Sequence, residues 1–335
     1  MQIIKETLSR VTAGAGASFE NLAMIPLISV NGGEPDYLTL DEAMARGEVR
    51  VTETSEAGDV PELRLENRVE QPVLLLDGEE LVGAKQNRIL NLTILAPAKS
   101  AITIPVSCVE AGRWSHSSPE FSTKGRTFYA AGRARKADQV TNSLRMSGTR
   151  YSRQGEVWDD IAAKSSRMDS YSDTAAMECL YDDYQDQVEE YLKAIELVEG
   201  QVGAVFAING QIRGMELFDF ATTFRKLMPK LLRSYALDAI DEQGGSVGSK
   251  PQDITRFLTA VAASDGTEHS AVGEGDDIRI SGSGLAGGAL SARDRVVHLC
   301  AFQLHEAASY GESHGGDLAR SSRRMRNYRH RGSRS

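Results

Sequence analysis

The stretch LLDGEELVGAKQNRILNLTIL, residues 75–95, predicts two buried strands joined by a turn. Leu and Ile dominate its two ends, as expected for strands inside a core, but its middle is polar. The polar residues of this middle part are Asp77, Glu79, Glu80, Lys85, Gln86, Asn87 and Arg88. So many hydrogen-bonding groups between two buried strands indicate either an exposed hairpin end or a ligand site.

The strand signal that follows, ITIPVSCVEAGRW, brings a further carboxylate towards the same region. Alternation along this strand places Ile104, Cys108 and Glu110 on one face, so that Glu110 reaches the edge of the core. On the preceding strand, Arg88 shares a face with Leu90 in the same way. We therefore expect a polar rim in which Glu110 lies close to a basic side chain. Such a rim is either a ligand pocket or a structural ion pair, for example Glu110 with Arg88, that closes the end of a barrel or sandwich.

The composition is that of an ordinary globular protein, with 335 residues, 41% of them hydrophobic and 25% charged. A net charge of −9 argues against a general attraction to nucleic acid or to anionic lipid. No apolar run approaches the roughly 18 residues of a membrane-spanning helix, and the start, MQIIKETLSR, lacks the apolar segment of a secretory signal. Three separated cysteines without a CxxC pair do not indicate a disulfide framework or a structural zinc site. We expect a cytoplasmic protein.

The order of strand and helix signals predicts an α+β fold. Residues 1–114 form a β-rich N-terminal region, sandwich- or barrel-like, that carries the polar rim. Residues 154–311 contain helices followed by a second antiparallel β region. Within this part, Asn209-Gly210 between two apolar runs predicts a hairpin, and residues 221–241 predict a long helix.

Residues 115–153 form a basic island in an acidic chain, because eight Lys or Arg residues face only two acidic ones. The basic residues are Lys124, Arg126, Arg133, Arg135, Lys136, Arg145, Arg150 and Arg153. Large aliphatic residues are scarce here. We expect either a flexible, solvated connection or a lid that attracts an anionic ligand.

The C-terminal residues 312–335 are polar and end in RSSRRMRNYRHRGSRS, which contains seven arginines. With few apolar residues to bury, this segment is predicted to be a disordered tail. Binding of nucleic acid is not expected, except through these arginines, and a purely solubilising tail is the alternative.

A glycine-rich segment, GSGLAG at residues 282–287, matches the dinucleotide-binding pattern letter by letter. In that motif a helix begins at the glycines, so that its N-terminus meets the pyrophosphate. Here the following residues read as further strands instead. We therefore interpret the segment as a turn between strands.

Two further groups of residues deserve comparison with known kinds of site. His298 and Cys300 share a strand face, and His305 and Glu306 follow, but their spacing matches no metal motif that we can justify. Cys108 lies in an apolar strand, where a buried thiol is protonated and inert. We expect neither a metal site nor a cysteine nucleophile.

The blocks GEELVGAKQNR and IPVSCVEAGRW together resemble the family of ARG-and-rhodanese-phosphatase-superfamily-associated protein domains. The later blocks FAINGQIRGMELF, KLLRSYALDA and RVVHLCAF continue the similarity, which covers most of residues 1–305. That family is linked by gene association to the processing of NAD-derived nucleotides and ADP-ribose. The resemblance implies an enzyme that hydrolyses a ribosyl linkage, with an anionic, nucleotide-like small molecule as its partner and no cofactor.

Site residues follow from the resemblance together with the chemistry of such a ligand. Cleavage at a ribose passes through an oxocarbenium-like state, which a carboxylate stabilises or to which it directs water, and Glu110 or Glu80 could take this role. The expected substrate-binding residues, which would bind phosphates, hydroxyls or a base, are Glu79, Lys85, Gln86, Asn87, Arg88, Arg113 and Trp114. Two alternatives remain open, a non-catalytic nucleotide-binding module or partner subunit, and a structural protein with a buried ion-pair cluster.

Overall fold

The computed structural model describes residues 1–304 except for positions 31, 56–60, 116–117, 246–250 and 283. The described helices are α1 (Gln2–Ser9), α2 (Leu40–Ala45), α3 (Ala130–Ser147), α4 (Gln154–Arg167), α5 (Glu178–Asp183), α6 (Gln185–Ala194), α7 (Ala221–Asp241) and α8 (Pro251–Ala263). The described strands are β1 (Thr12–Ala13), β2 (Ala17–Phe19), β3 (Leu22–Ile28), β4 (Leu38–Thr39), β5 (Val49–Glu53), β6 (Glu62–Asn67), β7 (Val73–Leu75), β8 (Glu79–Gly83), β9 (Arg88–Leu90), β10 (Ile94–Ala96), β11 (Ser100–Cys108), β12 (Phe121–Thr127), β13 (Gln201–Ile208), β14 (Gln211–Phe218), β15 (Asp265–Ser270), β16 (Asp276–Gly282), β17 (Leu285–Ala292) and β18 (Arg295–Gln303). The α+β class is confirmed.

The stretch 75–95 forms two nested hairpins. Strands β8 and β9 pair antiparallel as the inner hairpin, with Leu81 opposite Arg88. Strands β7 and β10 pair outside it, with Leu75 opposite Ile94, and belong to a separate three-stranded sheet with β4. The inner turn contains Ala84 with a φ of 41°, a left-handed conformation that is uncommon outside glycine. The predicted strand–turn–strand is therefore correct, and its polar middle is the inner turn and its two flanks.

A six-stranded sheet encloses one apolar core and carries the polar rim. Its strand order is β12-β8-β9-β11-β6-β5, and all its pairs are antiparallel. The sheet is curled, and its alternate residues bury one apolar cluster that includes Leu65, Leu81, Leu90, Val106 and Phe121. The expected barrel-like N-terminal region corresponds to this sheet.

A nine-stranded sheet contains strands from the N-terminal part and from the C-terminal part of the described residues. Its order is β1-β3-β13-β14-β18-β17-β16-β15, with β2 also paired to β3. One face, with residues such as Phe206 and Phe302, packs against α3 and α7, and the other face, with Val205 and Leu299, packs against α1 and α8. The division into regions 1–114 and 154–311 therefore does not follow the sheets. Strand β3 lies inside the nine-stranded sheet because it is apolar at consecutive positions, so that both of its faces require burial.

The basic island is the clearest difference from expectation. Strand β12 and the 18-residue helix α3 lie within residues 115–153. The side chains of Arg133 and Lys136 on α3 are fully buried. This helix packs as a core element, so a flexible connection is the wrong description of it. The charge count gave the wrong expectation because it treats both side chains as exposed. In the structure, buried carboxylates from distant segments neutralise their two charges.

Several local expectations are confirmed. Asn209 and Gly210 form the turn between the paired strands β13 and β14. Helix α7 has the predicted bounds. Gly282 ends β16 and lies opposite Leu285, the first residue of β17, so the glycine-rich segment connects two antiparallel strands.

Two remaining expectations concern the residues after position 304 and a possible membrane-spanning helix. The predicted disordered tail, residues 312–335, and the pair His305-Glu306 lie outside the described residues. Among the residues that the structure describes, no helix combines the length and the apolar character needed to cross a membrane.

Candidate functional site

The Glu110 carboxylate is held by Arg113, three residues further along the chain, and not by Arg88. Arg113 Nε donates to Glu110 Oε1 at 2.9 Å, and Arg113 Nη2 donates to Oε2 at 2.6 Å. The backbone N–H of Asn87 donates to Oε2 at 3.0 Å. Burial alone would raise the pKa of Glu110, but the hydrogen bonds from Arg113 and Asn87 outweigh it and hold this pKa below its usual value. Glu110 is therefore a fixed, ionised carboxylate.

Asn87 connects this pair to a second group of charges. Its Oδ1 accepts from Arg113 Nη2 at 3.1 Å, and its Nδ2 donates to Glu178 Oε2 on α5 at 3.2 Å. The neighbouring Gln86 donates through Nε2 to the backbone carbonyl of Glu110 at 2.8 Å. Side-chain hydrogen bonds therefore fix the turn of the inner hairpin to the segment that follows β11 and to helix α5.

Three carboxylates converge on the guanidinium of Arg126 on β12. Its Nε donates to Glu80 Oε2 at 3.0 Å, its Nη2 to Glu178 Oε1 at 2.5 Å and its Nη1 to Asp182 Oδ1 at 2.8 Å. The guanidinium also lies over the ring of Tyr181, 5.7 Å from its centroid. We call Glu80, Arg126, Glu178 and Asp182 the Arg126 cluster.

Within the Arg126 cluster, Glu80 is the group with a strongly perturbed acidity. Its side chain is fully buried. Burial raises the pKa of Glu80 to about 7, because the attraction of Arg126 only partly offsets desolvation and the repulsion from Glu178 and Asp182. Its Oε1 has no hydrogen-bond partner among the described residues. A carboxyl group with this pKa exchanges a proton near neutral pH, which suits it to acid–base chemistry.

A pocket of about 340 Å³ opens beside the Arg126 cluster. Its lining residues come from β12, α5, α6 and α7 and are Lys124, Arg126, Glu178, Tyr181, Asp182, Gln185, Val188, Glu189 and Arg233. Arg233 pairs with Glu189 at 2.6 Å on the far wall. The pocket therefore combines three cations, three carboxylates and one aromatic ring. We call it the Arg126 pocket.

Arg88 lies on the opposite face of the six-stranded sheet from Glu80. Leu81 pairs with Arg88 and Glu80 pairs with Ile89, and adjacent residues of a strand point to opposite faces. The Arg88 side chain is fully buried, and its Nη1 donates to Gln86 Oε1 at 3.0 Å. Its Nε and Nη2 have no hydrogen-bond partner in the described part of the chain. An unpaired buried donor costs about 1–3 kcal/mol of stability, so this arrangement calls for an explanation.

Lys85 and Trp114 lie next to Arg88. The Trp114 ring covers both cations, with its centroid 5.3 Å from Lys85 Nζ and 5.8 Å from Arg88 Cζ. Trp114 is 49% exposed, so it separates the buried arginine from solvent. Cation–π contacts of this kind contribute about 0.5–2 kcal/mol each.

Glu79 is directed away from all of these residues. It forms an ion pair with the buried Lys230 of α7 and accepts a hydrogen bond from the backbone N–H of Leu76 at 3.0 Å. Burial raises the pKa of Glu79, although Lys230 opposes the shift. Its contacts are those of a residue that ties β8 to α7.

A further buried network lies between α3 and the nine-stranded sheet. Arg133 donates to Glu216 Oε1 at 2.6 Å and to Asp77 Oδ2 at 3.2 Å. Lys136 pairs with the other oxygen of Asp77 and donates to the carbonyls of Leu90 and Asn91, at 3.0 Å each. These contacts fix α3 to the inner hairpin and to β14.

The same network contains the one group of possible metal ligands found among the described residues, Glu216, His298 and Cys300, whose ligand atoms lie within 4.8 Å of one another. The two oxygens of Glu216 are already engaged, by Arg133 at 2.6 Å and by His298 Nε2 at 3.0 Å. Burial and the charges of Asp77 and Glu216 raise the pKa of Cys300 to about 12, whereas a metal requires the thiolate. A bound cation would also lie beside the Arg133 guanidinium. These residues therefore do not fit a metal site.

The predicted site residues fall into three groups in the structure. Glu110, Gln86, Asn87 and Arg113 form one hydrogen-bonded group. Asn87 connects this group to Glu178, and Arg126 connects Glu178 to Glu80. Lys85, Arg88 and Trp114 form a second group on the other side of the sheet. Glu79 stands alone with Lys230.

Sequence reasoning missed Arg126, Glu178 and Asp182 as members of a site. Arg126 was visible only as one of eight basic residues, and the other two belong to a region with an ordinary helical pattern. The available signal is an arginine next to the end of strand β12, followed later by two acidic residues four positions apart on one helix face.

The fold and these clusters define an α+β protein in which polar side chains at the ends of a curled sheet meet a helical layer. The chain belongs to the family of ARG and Rhodanese-Phosphatase-superfamily-associated Protein domains, whose family model matches residues 10–302. This match confirms the resemblance seen in the two sequence blocks around Glu80 and Glu110. Searches of curated proteins and of solved structures gave no match to the chain.

Proposed function

We propose that this protein hydrolyses a ribosyl linkage of an NAD-derived or ADP-ribosyl nucleotide in the Arg126 pocket. The observation that carries the proposal is the convergence of three carboxylates on Arg126 at the wall of this pocket, one of them Glu80 with a pKa of about 7. A carboxyl group with a pKa near neutrality beside further carboxylates is the arrangement that glycosidic cleavage uses.

The chemistry of the pocket lining matches the parts of such a substrate. Lys124, Arg126 and Arg233 supply cations for phosphate oxygens. Glu178 and Asp182 supply acceptors for ribose hydroxyls, and their side chains are 30% and 63% exposed, so a ligand can reach them. A phosphate that binds Arg126 displaces Asp182, the most exposed of its three partners, and frees that carboxylate for the sugar.

In this proposal Glu80 is the acid–base residue and Glu110 is a positioning residue. Glu80 takes up a proton when Arg126 turns towards the substrate, because its remaining neighbours are carboxylates. Glu110 keeps a lowered pKa and both its oxygens engaged, so it holds Arg113 and Asn87 in place. Asn87 in turn orients Glu178.

The alternative of a non-catalytic binding module is favoured by one observation. The Glu80 side chain has no exposed surface, and Arg126 lies between it and the pocket. A nucleotide bound by the cations of the pocket would then not contact Glu80. The same residues would act as a sensor of the ligand or as a partner subunit for a neighbouring enzyme.

Turnover and binding assays on matched variants test both readings. The assay follows hydrolysis of ADP-ribose and NAD by chromatography and binding by calorimetry, for the wild type, Glu80→Gln and Arg126→Lys. Glu190→Gln is the control, because Glu190 is exposed on the same helix as Glu189 without lining the pocket. We expect Glu80→Gln to lower the rate about 100-fold or more with little effect on binding, and Arg126→Lys to weaken binding.

Other outcomes of these assays favour the binding module or the structural protein with a buried ion-pair cluster. Saturable binding with no turnover by the wild type would establish the binding module. If the wild type neither binds nor hydrolyses these nucleotides, the clusters are structural ion pairs and the proposal fails.

A further inference from the structure

The unused edge of Arg88 is the most unusual polar feature of the described residues outside the Arg126 pocket. A guanidinium presents Nε–H and one Nη–H side by side, and this pair of donors matches two oxygens of a carboxylate or phosphate. In Arg88 the other nitrogen, Nη1, is anchored by Gln86, while Nε and Nη2 both lack a hydrogen-bond partner among the described residues. Arg88 is therefore anchored at one nitrogen, and its buried bidentate edge makes no hydrogen bond.

Glu53 on β5 is similarly incomplete. Its Oε1 lies 4.0 Å from Arg88 Nη2 and accepts only a long hydrogen bond, 3.4 Å, from the backbone N–H of Lys85. Its Oε2 has no hydrogen-bond partner in the part of the chain that the structure describes, although its side chain is only 6% exposed. A direct Arg–carboxylate pair would be closer than 3 Å. These two residues thus face each other without completing each other's hydrogen bonds.

We propose that Arg88 and Glu53 form a second ligand site, which binds a small oxyanion that carries a neighbouring hydroxyl group. Two oxygens of the anion accept from Arg88 Nε and Nη2, and the hydroxyl donates to the free oxygen of Glu53. Phosphorylated sugars and hydroxycarboxylates have this combination of groups. The positive charges of Arg88 and Lys85 attract the anion, and the Glu53 carboxylate selects against anions that bring no hydrogen-bond donor.

The cover of this site supplies a direct readout. Arg88 has no exposed surface, so a ligand reaches it only when the half-exposed Trp114 ring turns aside. Occupation of the site must therefore change the environment of this indole. The site lies on the other face of the sheet from Glu80 and Arg126, and the inference does not depend on the proposed hydrolysis.

Tryptophan fluorescence of the full-length chain tests the proposal. The chain has two tryptophans, and Trp158→Phe leaves Trp114 as the sole tryptophan, which is excited selectively at long wavelength. This variant is titrated with sulfate, ribose 5-phosphate, gluconate and ribose at constant ionic strength. We expect a saturable change with ribose 5-phosphate or gluconate, binding about tenfold tighter than that of sulfate, which has no hydroxyl group to donate, and no response to ribose.

Two substitutions assign the signal to the residues. Arg88→Lys keeps the charge and removes the bidentate edge, so affinity should fall about tenfold or more. Glu53→Gln removes the opposing charge, so sulfate should bind more tightly and the advantage of ribose 5-phosphate should shrink. Arg50→Lys is the control, because Arg50 is exposed on the same strand as Glu53.

The inference is overturned if no anion gives a saturable change, which would mean that water alone satisfies these atoms. It is also overturned if Arg88→Lys binds the anions as well as Arg50→Lys does. Should Arg88→Lys fail to fold, Glu53→Gln decides, and unchanged affinities for sulfate and ribose 5-phosphate would reject the site.

Discussion

Glu79 and Glu80 are adjacent in sequence but belong to separate ion-pair clusters on opposite sides of strand β8. Glu80 Oε2 accepts from Arg126 at 3.0 Å, whereas Glu79 pairs with Lys230 of α7. The alternation of a single strand thus directs one carboxylate towards the Arg126 pocket and the other to a structural contact. Substitutions at these two positions should therefore have different consequences.

Replacement of Glu80 by Gln should change how stability depends on pH. Because burial raises the pKa of Glu80 from 4.5 to about 7, the folded protein binds this proton more tightly than the unfolded chain does. The wild type accordingly loses stability as the pH rises from 4.5 to 7, by about 3 kcal/mol from this group. Glu80→Gln lacks this loss, so its melting temperature should rise relative to the wild type between pH 5 and pH 8. Parallel curves for the two proteins would contradict the raised pKa.

Replacement of Glu110 by Gln should have the opposite pH signature. The lowered pKa of Glu110 means that its pairing with Arg113 stabilises the fold above the usual carboxyl pKa of 4.5 and ceases to do so as the pH falls through the folded value. At pH 7 we expect Glu110→Gln to lose about 3 kcal/mol, the scale of removing one partner from a buried pair. Chemical denaturation at pH 7 and pH 3.5 measures this difference, which should be smaller at the lower pH.

The position of helix α3 predicts resistance to trypsin. Arg133 and Lys136 are fully buried, so the bonds after them should survive in native protein and be cut once urea unfolds the chain. Mass spectrometry of the fragments with and without ADP-ribose makes the comparison. Rapid native cleavage after Arg133 that ADP-ribose suppresses would support the lid that the sequence suggested, against the packed helix.

Removal of metals should leave the fold unaffected. The oxygens of Glu216 are occupied by Arg133 and His298, and the Cys300 thiol stays protonated because its pKa is about 12. Dialysis against a chelator should not shift the melting temperature, and zinc binding should be the same for the wild type and Cys300→Ala. Stoichiometric zinc that is lost on Cys300→Ala would overturn this interpretation.

Local features of the fold could be predicted because their signals lie within a few residues. The apolar–polar–apolar pattern of residues 75–95 specifies the inner hairpin, and the helical spacing of apolar residues gives the bounds of α7, although Pro229 lies inside this helix. The family blocks also pointed to the turn where Asn87, Glu110 and Arg113 meet. In each case the information is contained in spacing along one or two elements.

Features that depend on pairing between distant segments could not be predicted. The sequence around Arg133 does not show that Asp77 and Glu216 neutralise its charge. The sequence alone therefore predicts a solvent-exposed arginine. The Arg126 cluster unites a strand, a hairpin and a helix for the same reason. Glu110 pairs with Arg113 and not with Arg88 because of the direction that the chain takes after β11. The alternation of side chains along a strand does not specify this direction.

The antiparallel pairing of β3 with β13 has a consequence for how the chain is made. Strand β3 (Leu22–Ile28) leaves the ribosome early together with its partners β1 and β2, but its neighbour on the other side, residues 201–208, is synthesised only after the whole six-stranded sheet. One edge of β3 must wait unpaired during that interval, and pairings between such distant segments slow folding. Nascent chains that stop before β13 should therefore depend on chaperones to protect this apolar strand.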